Sequence, residues 1–189
     1  AERQMYKEKT SSYIQGGKQA LEGVLEFFHK DSWEKAHSQQ VSALCERLGK
    51  ALNLTDASLE QVKKAGFFHD IGKVAPDGKE GAEKQHPVVG YRILRHFSKT
   101  AGIAEIVLAH HERWDGLGYP GGLSQEEIPK LARIVAVASS FHRLTNPKKG
   151  AGLTIEDAAR KIQGLGGTKF DPQITSQLGL LLSSPVDRR

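Results

Sequence analysis

Helical periodicity carries histidines to the apolar side of this chain at several separate places. Asp31-Ser32-Trp33-Glu34 sets an acceptor at a cap position with a carboxylate three residues on, the form of a capping box that opens a helix. Behind it His37, Val41, Leu44, Leu48 and Leu52 recur at spacings of four, three, four and four, which makes one apolar stripe headed by a histidine. Thr55 to Ser58 offer the next cap, and Leu59, Val62, Gly66 and His69 keep the same spacing up to Gly72 and Pro76, where the helix is expected to stop. Ile103, Ile106, Val107, His110 and His111 fall at i, i+3, i+4, i+7 and i+8, one face of an amphipathic helix. Between these, His86-Pro87 opens a helix carrying Val89, Ile93, Leu94 and Phe97, since proline suits a first turn. Ser124 to Glu127 is a second capping box, with Leu131, Ile134, Val135, Ala138 and Leu144 on a long helix behind it. Thr154 to Asp157 starts a further helix, closed by Gly164, Gly166 and Gly167, and a last one follows Asp171-Pro172 with Ile174, Leu178 and Leu181. Period-two strand patterns are absent, so the expected class is all-α.

A chain of 189 residues with 38% hydrophobic and 26% charged residues can bury a sizeable core, which excludes a disulfide-stapled miniprotein and a disordered tail. The single cysteine, Cys45, cannot form an internal disulfide, and no apolar run approaches the roughly 20 residues of a membrane span. With no secretory signal at its start, the chain is expected to be soluble and cytoplasmic. A start at Ala1 points to a processed end or a piece of something longer. No repeat or change of composition marks an interior boundary, so residues 1–30 read as a leading helix or linker and 31–189 as one domain. The net charge of +5 makes an anionic partner reasonable, but the basic residues are scattered and no basic-aromatic platform is visible, so nucleic acid is not the expected partner.

A lone histidine on an apolar stripe is ordinarily a core residue with a satisfied hydrogen bond. Here His37, His69, His86, His110 and His111 lie at the ends of separate expected helices, and His69 is followed by Asp70, a carboxylate costly to bury unpaired. Neutral imidazoles and a carboxylate converging inside a helical bundle are what a divalent transition-metal site requires. Neighbouring residues on a helix project about 100° apart, so His69 and Asp70 suit a two-metal centre, with the carboxylate between the ions, better than a single ion. Spacing alone leaves structural histidines as the competing reading.

These residues carry a resemblance. His69-Asp70-Ile71-Gly72-Lys73, then His86-Pro87, then His110-His111-Glu112-Arg113-Trp114-Asp115-Gly116-Leu117-Gly118-Tyr119-Pro120, resembles the HD-GYP branch of the HD phosphohydrolase superfamily, and the likeness runs from about His37 to Phe170-Asp171-Pro172. The resemblance implies an HD-type helical bundle with a dinuclear or trinuclear metal site in its core. The ions it implies are divalent, iron or alternatively manganese, and the reaction is hydrolysis of the bacterial messenger cyclic di-GMP to pGpG or GMP. It also implies a place behind a sensory or receiver domain in signal transduction. By the same resemblance, His37, His69, Asp70, His86, His110 and His111 are metal ligands, with Asp70 bridging. A hydroxide between two ions about 3.5 to 4 Å apart would be the nucleophile. Lys73 matches a residue that meets a phosphate oxygen, a role as open as that of a solvated lysine at a helix end. In the loop, Gly116 and Gly118 permit positive φ and close backbone approach to a ligand, and Tyr119 can stack on a base or donate to phosphate. A plain interhelical turn is the competing reading there, and Asp115 either orients a ligand histidine or braces the loop.

Four positions depart from the family pattern. Where it has Val-Ala-Asp-x-x-Asp-x-Leu, this chain has Val137-Ala138-Ser139-Ser140-Phe141-His142-Arg143-Leu144, so a metal-ligand Asp is replaced by Ser139. His142, at the second Asp, is a weak candidate to substitute for the lost ligand, with a place on the helix surface the favoured reading. Trp33 stands where trinuclear members carry a Glu, so a third ion is not expected. Lys148, in Asn146-Pro147-Lys148-Lys149-Gly150, keeps a positive charge for substrate but loses the bidentate fork of an arginine. The expected function is a dinuclear phosphodiesterase. The alternative is a degenerate domain that binds a nucleotide or a signalling protein partner without hydrolysis. A generic HD mononucleotidase is disfavoured, because the Gly-Tyr-Pro loop is no part of that wider pattern.

Overall fold

Three side-chain caps expected from sequence open three of the helices. The computed structural model describes residues 19–74 and 84–183. A leading helix over 19–28 (α1) lays Phe28 into the core. Asp31 then caps α2 (Ser32–Ala51), its carboxylate accepting from the Trp33 and Glu34 amides at 2.9 and 3.3 Å. The reciprocal half of that box is not made, because the Glu34 carboxylate turns to Lys73 at 3.3 Å. Thr55 caps α3 (Asp56–Phe68) and Thr154 caps α7 (Ile155–Gln163). The remaining helices are α4 (His86–Arg95), α5 (Ala104–Leu108), α6 (Lys130–Thr145) and α8 (Pro172–Ser183). Among the described residues there is no strand, only an isolated bridge between Gly166 and Phe170, so the all-α class stands.

Three helices differ from their sequence reading. The capping box of Ser124 and Glu127 forms, but over the single 3-10 turn Gln125–Glu127, and α6 starts only at Lys130. Pro129 forces the break, since it drives Ile128 into an extended conformation with ψ 125°. Likewise α3 and α5 stop before their histidines. His69-Asp70 and His110-His111 occupy the turns that follow, where each first ring caps a carbonyl of the helix it leaves.

The centre of the bundle is α2 packed against α3 and α6, with α4 against α5 and α8 against α7. Val41, Cys45, Leu48, Val62, Ile134, Val135, Ile162, Ile174 and Leu178 fill it with no exposed surface. The α2–α3 approach depends on Gly66, where an added Cβ would lie 2.9 Å from Cys45 Sγ and 3.1 Å from Ser42 Cα. Among the described residues no helix is long and apolar enough to cross a membrane. Gly66→Ala gains about 1 kcal/mol of helix propensity but forces overpacking of about 1–3 kcal/mol against backbone. Chemical denaturation is therefore expected to show net destabilisation of the variant. A stabilised variant would mean that the two helices can part at no cost.

Candidate metal centre

The turn after α3, the first residue of α4, the turn after α5, and one face each of α2 and α6 meet at a single place. His37, His69, Asp70, His86 and His110 are buried there, and His111 is half-buried. Gly72 allows the meeting, because a Cβ there would collide with the His86 carbonyl and the Gly90 amide, so the turn carrying Asp70 can lie directly on the start of α4. The side chains form two sets that share one member. His86, His110, His111 and Asp70 make the first and His37, His69 and Asp70 the second, with one donor atom per residue, all within 4.8 Å of one another in each set. Asp70 divides its oxygens between them. Oδ1 lies 3.2 Å from His86 Nε2 and 3.9 Å from His110 Nε2, while Oδ2 lies 3.3 Å from His69 Nε2 and 3.6 Å from His37 Nε2.

The protonation of these rings is constrained by what stands behind them. His69 Nδ1 donates to the Gly66 carbonyl at 2.8 Å and His110 Nδ1 to the Val107 carbonyl at 2.6 Å, which leaves each Nε2 as a lone pair turned inward. There Nε2 atoms crowd one another, at 3.1 Å for His37–His69, 3.3 Å for His86–His110 and 3.2 Å for His86–His111. Lone pairs so close need a positive charge between them, and burial argues against protons. Desolvation, reinforced by neighbouring imidazoles, pushes His37 down to about 2 and His111 to about 3, and holds His110 well below the usual imidazole range. Burial would also raise the Asp70 carboxyl, but His69, His86 and the Arg143 guanidinium outweigh it and keep the group ionised. Asp70 Oδ1 is fully buried and makes no hydrogen bond among the described residues. An orphaned carboxylate oxygen ringed by imidazole lone pairs is a donor set for a divalent transition metal.

The HD domain family matches residues 26–174. A cyclic di-GMP phosphodiesterase of Thermotoga maritima is 36% identical over 166 residues, covering 77% of this chain and 44% of its own length. The cyclic di-GMP phosphodiesterase response regulator RpfG of Xanthomonas campestris is 34% identical over 168 residues, covering 79% and 44%. The chain belongs to the HD domain family, in its HD-GYP branch. A solved HDG"Y"P protein of Bdellovibrio bacteriovorus superposes with a TM-score of 0.66 at 26% identity, over 93% of this chain and 61% of that one. The chain thus spans less than half the length of these two curated relatives.

Within this HD-GYP domain, several residues stand differently from their sequence reading. His142 is buried, not on the helix surface, and its Nδ1 lies 2.8 Å from His37 Nδ1, so it stands behind a histidine of the cluster. Ser139 does face the centre, its hydroxyl 3.2 and 3.4 Å from Nε2 of His69 and His37, but as a neutral group. Trp33 stacks on the His37 ring at 4.7 Å and donates from Nε1 to the Asn146 carbonyl. Lys73 meets Asp70 Oδ2 at 2.6 Å and Glu34, and the exposed Lys148 pairs with Asp31. In the loop, Asp115 is held at about 2 by the Arg113 side chain and accepts from the Leu117 amide, so it braces the turn. Gly116 has φ +78°, as expected, and at Gly118 the chain lies close to the backbone of Glu112 and Arg113. Tyr119 stacks on His111 at 4.8 Å and 17°.

Three contributors were not assigned from the sequence. Arg143 donates to Asp70 Oδ2 at 2.6 Å, and its position one turn after Ser139 was the available signal. Glu112 is buried and accepts from the Gly121 and Leu123 amides at 2.5 and 3.1 Å, tying down the far side of the loop. Lys169 joins Arg113, Arg143, His110, His111 and Ser139 around a cavity of about 220 Å³ beside the cluster. Burial and the neighbouring cations lower the Lys169 ammonium from its ordinary value.

The depressed imidazoles set the acid response of the metal-free protein. Unfolded histidines take up protons near pH 6.5, whereas His37, His110 and His111 stay neutral when folded, so the unfolded state binds more protons below that value. Stability is complete above about pH 6.5 and falls as pH drops, by about 1.4 kcal/mol per pH unit for each such ring. Denaturant titrations from pH 8 to 4 are expected to show this slope. A flat profile would mean that the rings are solvated.

Proposed function

We propose that this domain is a metal-dependent phosphodiesterase that hydrolyses cyclic di-GMP to linear pGpG or GMP, with two divalent ions, iron or manganese, sharing Asp70. The observation that carries the reading is the division of the Asp70 carboxylate between two histidine sets, beside a cation-lined cavity. The named activities of the Thermotoga and Xanthomonas relatives support the cyclic di-GMP substrate. His86, His110 and His111 with Asp70 Oδ1 would hold one ion, and His37 and His69 with Oδ2 the other. Such ions supply Lewis acidity toward a phosphoryl oxygen and a water of lowered pKa.

The chain's own groups do the remainder. Burial keeps the His37, His110 and His111 imidazoles unprotonated and ready as ligands at neutral pH. Lys73 neutralises Asp70 and stands next to it for a phosphate oxygen. Arg113, Arg143 and Lys169 bring positive charge to the cavity, where the non-bridging oxygens of a phosphodiester fit. Gly116 and Tyr119 keep their assignment to the nucleotide, whereas Asp115 and Gly118 act by shaping the loop. Lys148 supplies charge next to Trp33, at 5.9 Å from its ring. Residues 31–189 are the working domain, 1–30 its leading segment, and control comes from a sensory or receiver domain, as the response-regulator relative supports.

Protein loaded anaerobically with ferrous or manganous ion should convert cyclic di-GMP to pGpG or GMP, read by chromatography. His110→Ala is expected to reduce turnover by at least about 100-fold, the upper end of what merely disturbing a ligand's support costs. Full metal occupancy with no cleavage would overturn the proposal and leave a domain that binds a nucleotide or protein partner without hydrolysis.

A further inference from the structure

The two oxygens of Asp70 are in different states. Oδ1 has no hydrogen bond among the described residues and faces a set with three imidazoles. Oδ2 receives Lys73 Nζ and Arg143 Nη2, both at 2.6 Å, on the side where only His37 and His69 complete the set. On that same side the family's terminal carboxylate is replaced by the Ser139 hydroxyl. A divalent ion entering at Oδ2 therefore meets one donor fewer and two fixed positive charges already on its carboxylate oxygen. Charges at a few ångströms in a buried site repel strongly. None of these obstacles exists at Oδ1.

We infer that the two ion positions load in order, the His86–His110–His111 side first, and that Arg143 guards the second by occupying Asp70 Oδ2. The guanidinium has somewhere to go when displaced, because the Arg143 side chain also lines the cavity beside the cluster. A phosphate oxygen in that cavity would draw the same guanidinium away from Asp70, so substrate and second ion favour one another. This ordering rests on the metal centre proposed above, and it deepens that proposal by making the centre unequal.

The test is a titration of metal-free protein with manganous ion, followed by calorimetry and by the electron-spin signal of free manganese. The parent is expected to show two classes, the second weaker by at least about tenfold, a step of the size that a ligand's surroundings commonly set. Arg143→Gln removes the charge at similar size, and should tighten the weak class by about tenfold while leaving the tight class unchanged. Ser139→Asp should also tighten the weak class, by adding a ligand, and it carries the test should Arg143→Gln not fold. His86→Ala should abolish the tight class alone. Two equal classes in the parent, or a weak class that responds to neither Arg143→Gln nor Ser139→Asp, would overturn the ordering. Turnover is not part of this readout. Ordered binding without cyclic di-GMP cleavage would defeat only the proposed reaction, and equal classes with cleavage would defeat only the ordering.

Discussion

A fully buried, ionised carboxylate is the constraint around which this domain is organised. An isolated carboxylate in an apolar interior is too costly to persist, so Asp70 requires partners from several elements at once. It has them: Lys73 from its own turn, Arg143 from α6, and imidazoles from α2, α3, α4 and α5. Burial holds the His37 and His110 rings neutral, so these two cannot serve as the counter-charge. Lys73 and Arg143 bring positive charge to one oxygen, while the other, Oδ1, makes no hydrogen bond among the described residues.

This need ties the fold to the chemistry. Gly66 lets α2 and α3 approach closely enough for His37 and His69 to face each other, and Gly72 lets the Asp70 turn rest on the start of α4. The carbonyls of Gly66 and Val107 then hold two rings with their lone pairs inward. The Gly-Tyr-Pro loop is built outward from the same point, since Glu112 directly follows His111 and grips the loop through two amides. Tyr119 closes back on His111. The Asp115–Pro120 loop and the histidine cluster are thus joined mechanically through Glu112 and Tyr119.

Much of the site could be read from the chain because a helical stripe is a local property. His37 and His69 follow the period of apolar neighbours they share, and His86 is marked by the proline after it. A surface place for His142 runs against that same period, since it lies seven residues after Val135 and four after Ala138 on the buried stripe of α6. What the packing of α6 on α2 adds is that its ring meets His37. The ends of α3 and α5 were misplaced because periodicity continues through a turn whose histidines still point to the core. A ring capping a carbonyl leaves no trace in spacing. Glu34 shows the same limit, since a capping-box carboxylate was diverted by an ammonium 39 residues away.

By itself the order of residues determined the helical class, the capped starts of α2, α3 and α7 and the histidines and carboxylate that meet in the core, because caps and apolar periods act over a few residues. It also exposed the missing carboxylate at Ser139. Tertiary structure alone decided how those donors divide into two sets, which oxygen of Asp70 serves each, and that a guanidinium 73 residues distant falls on one of them. Such choices depend on how helices cross and on which buried charge must be neutralised where, and neither is written in any short stretch of chain.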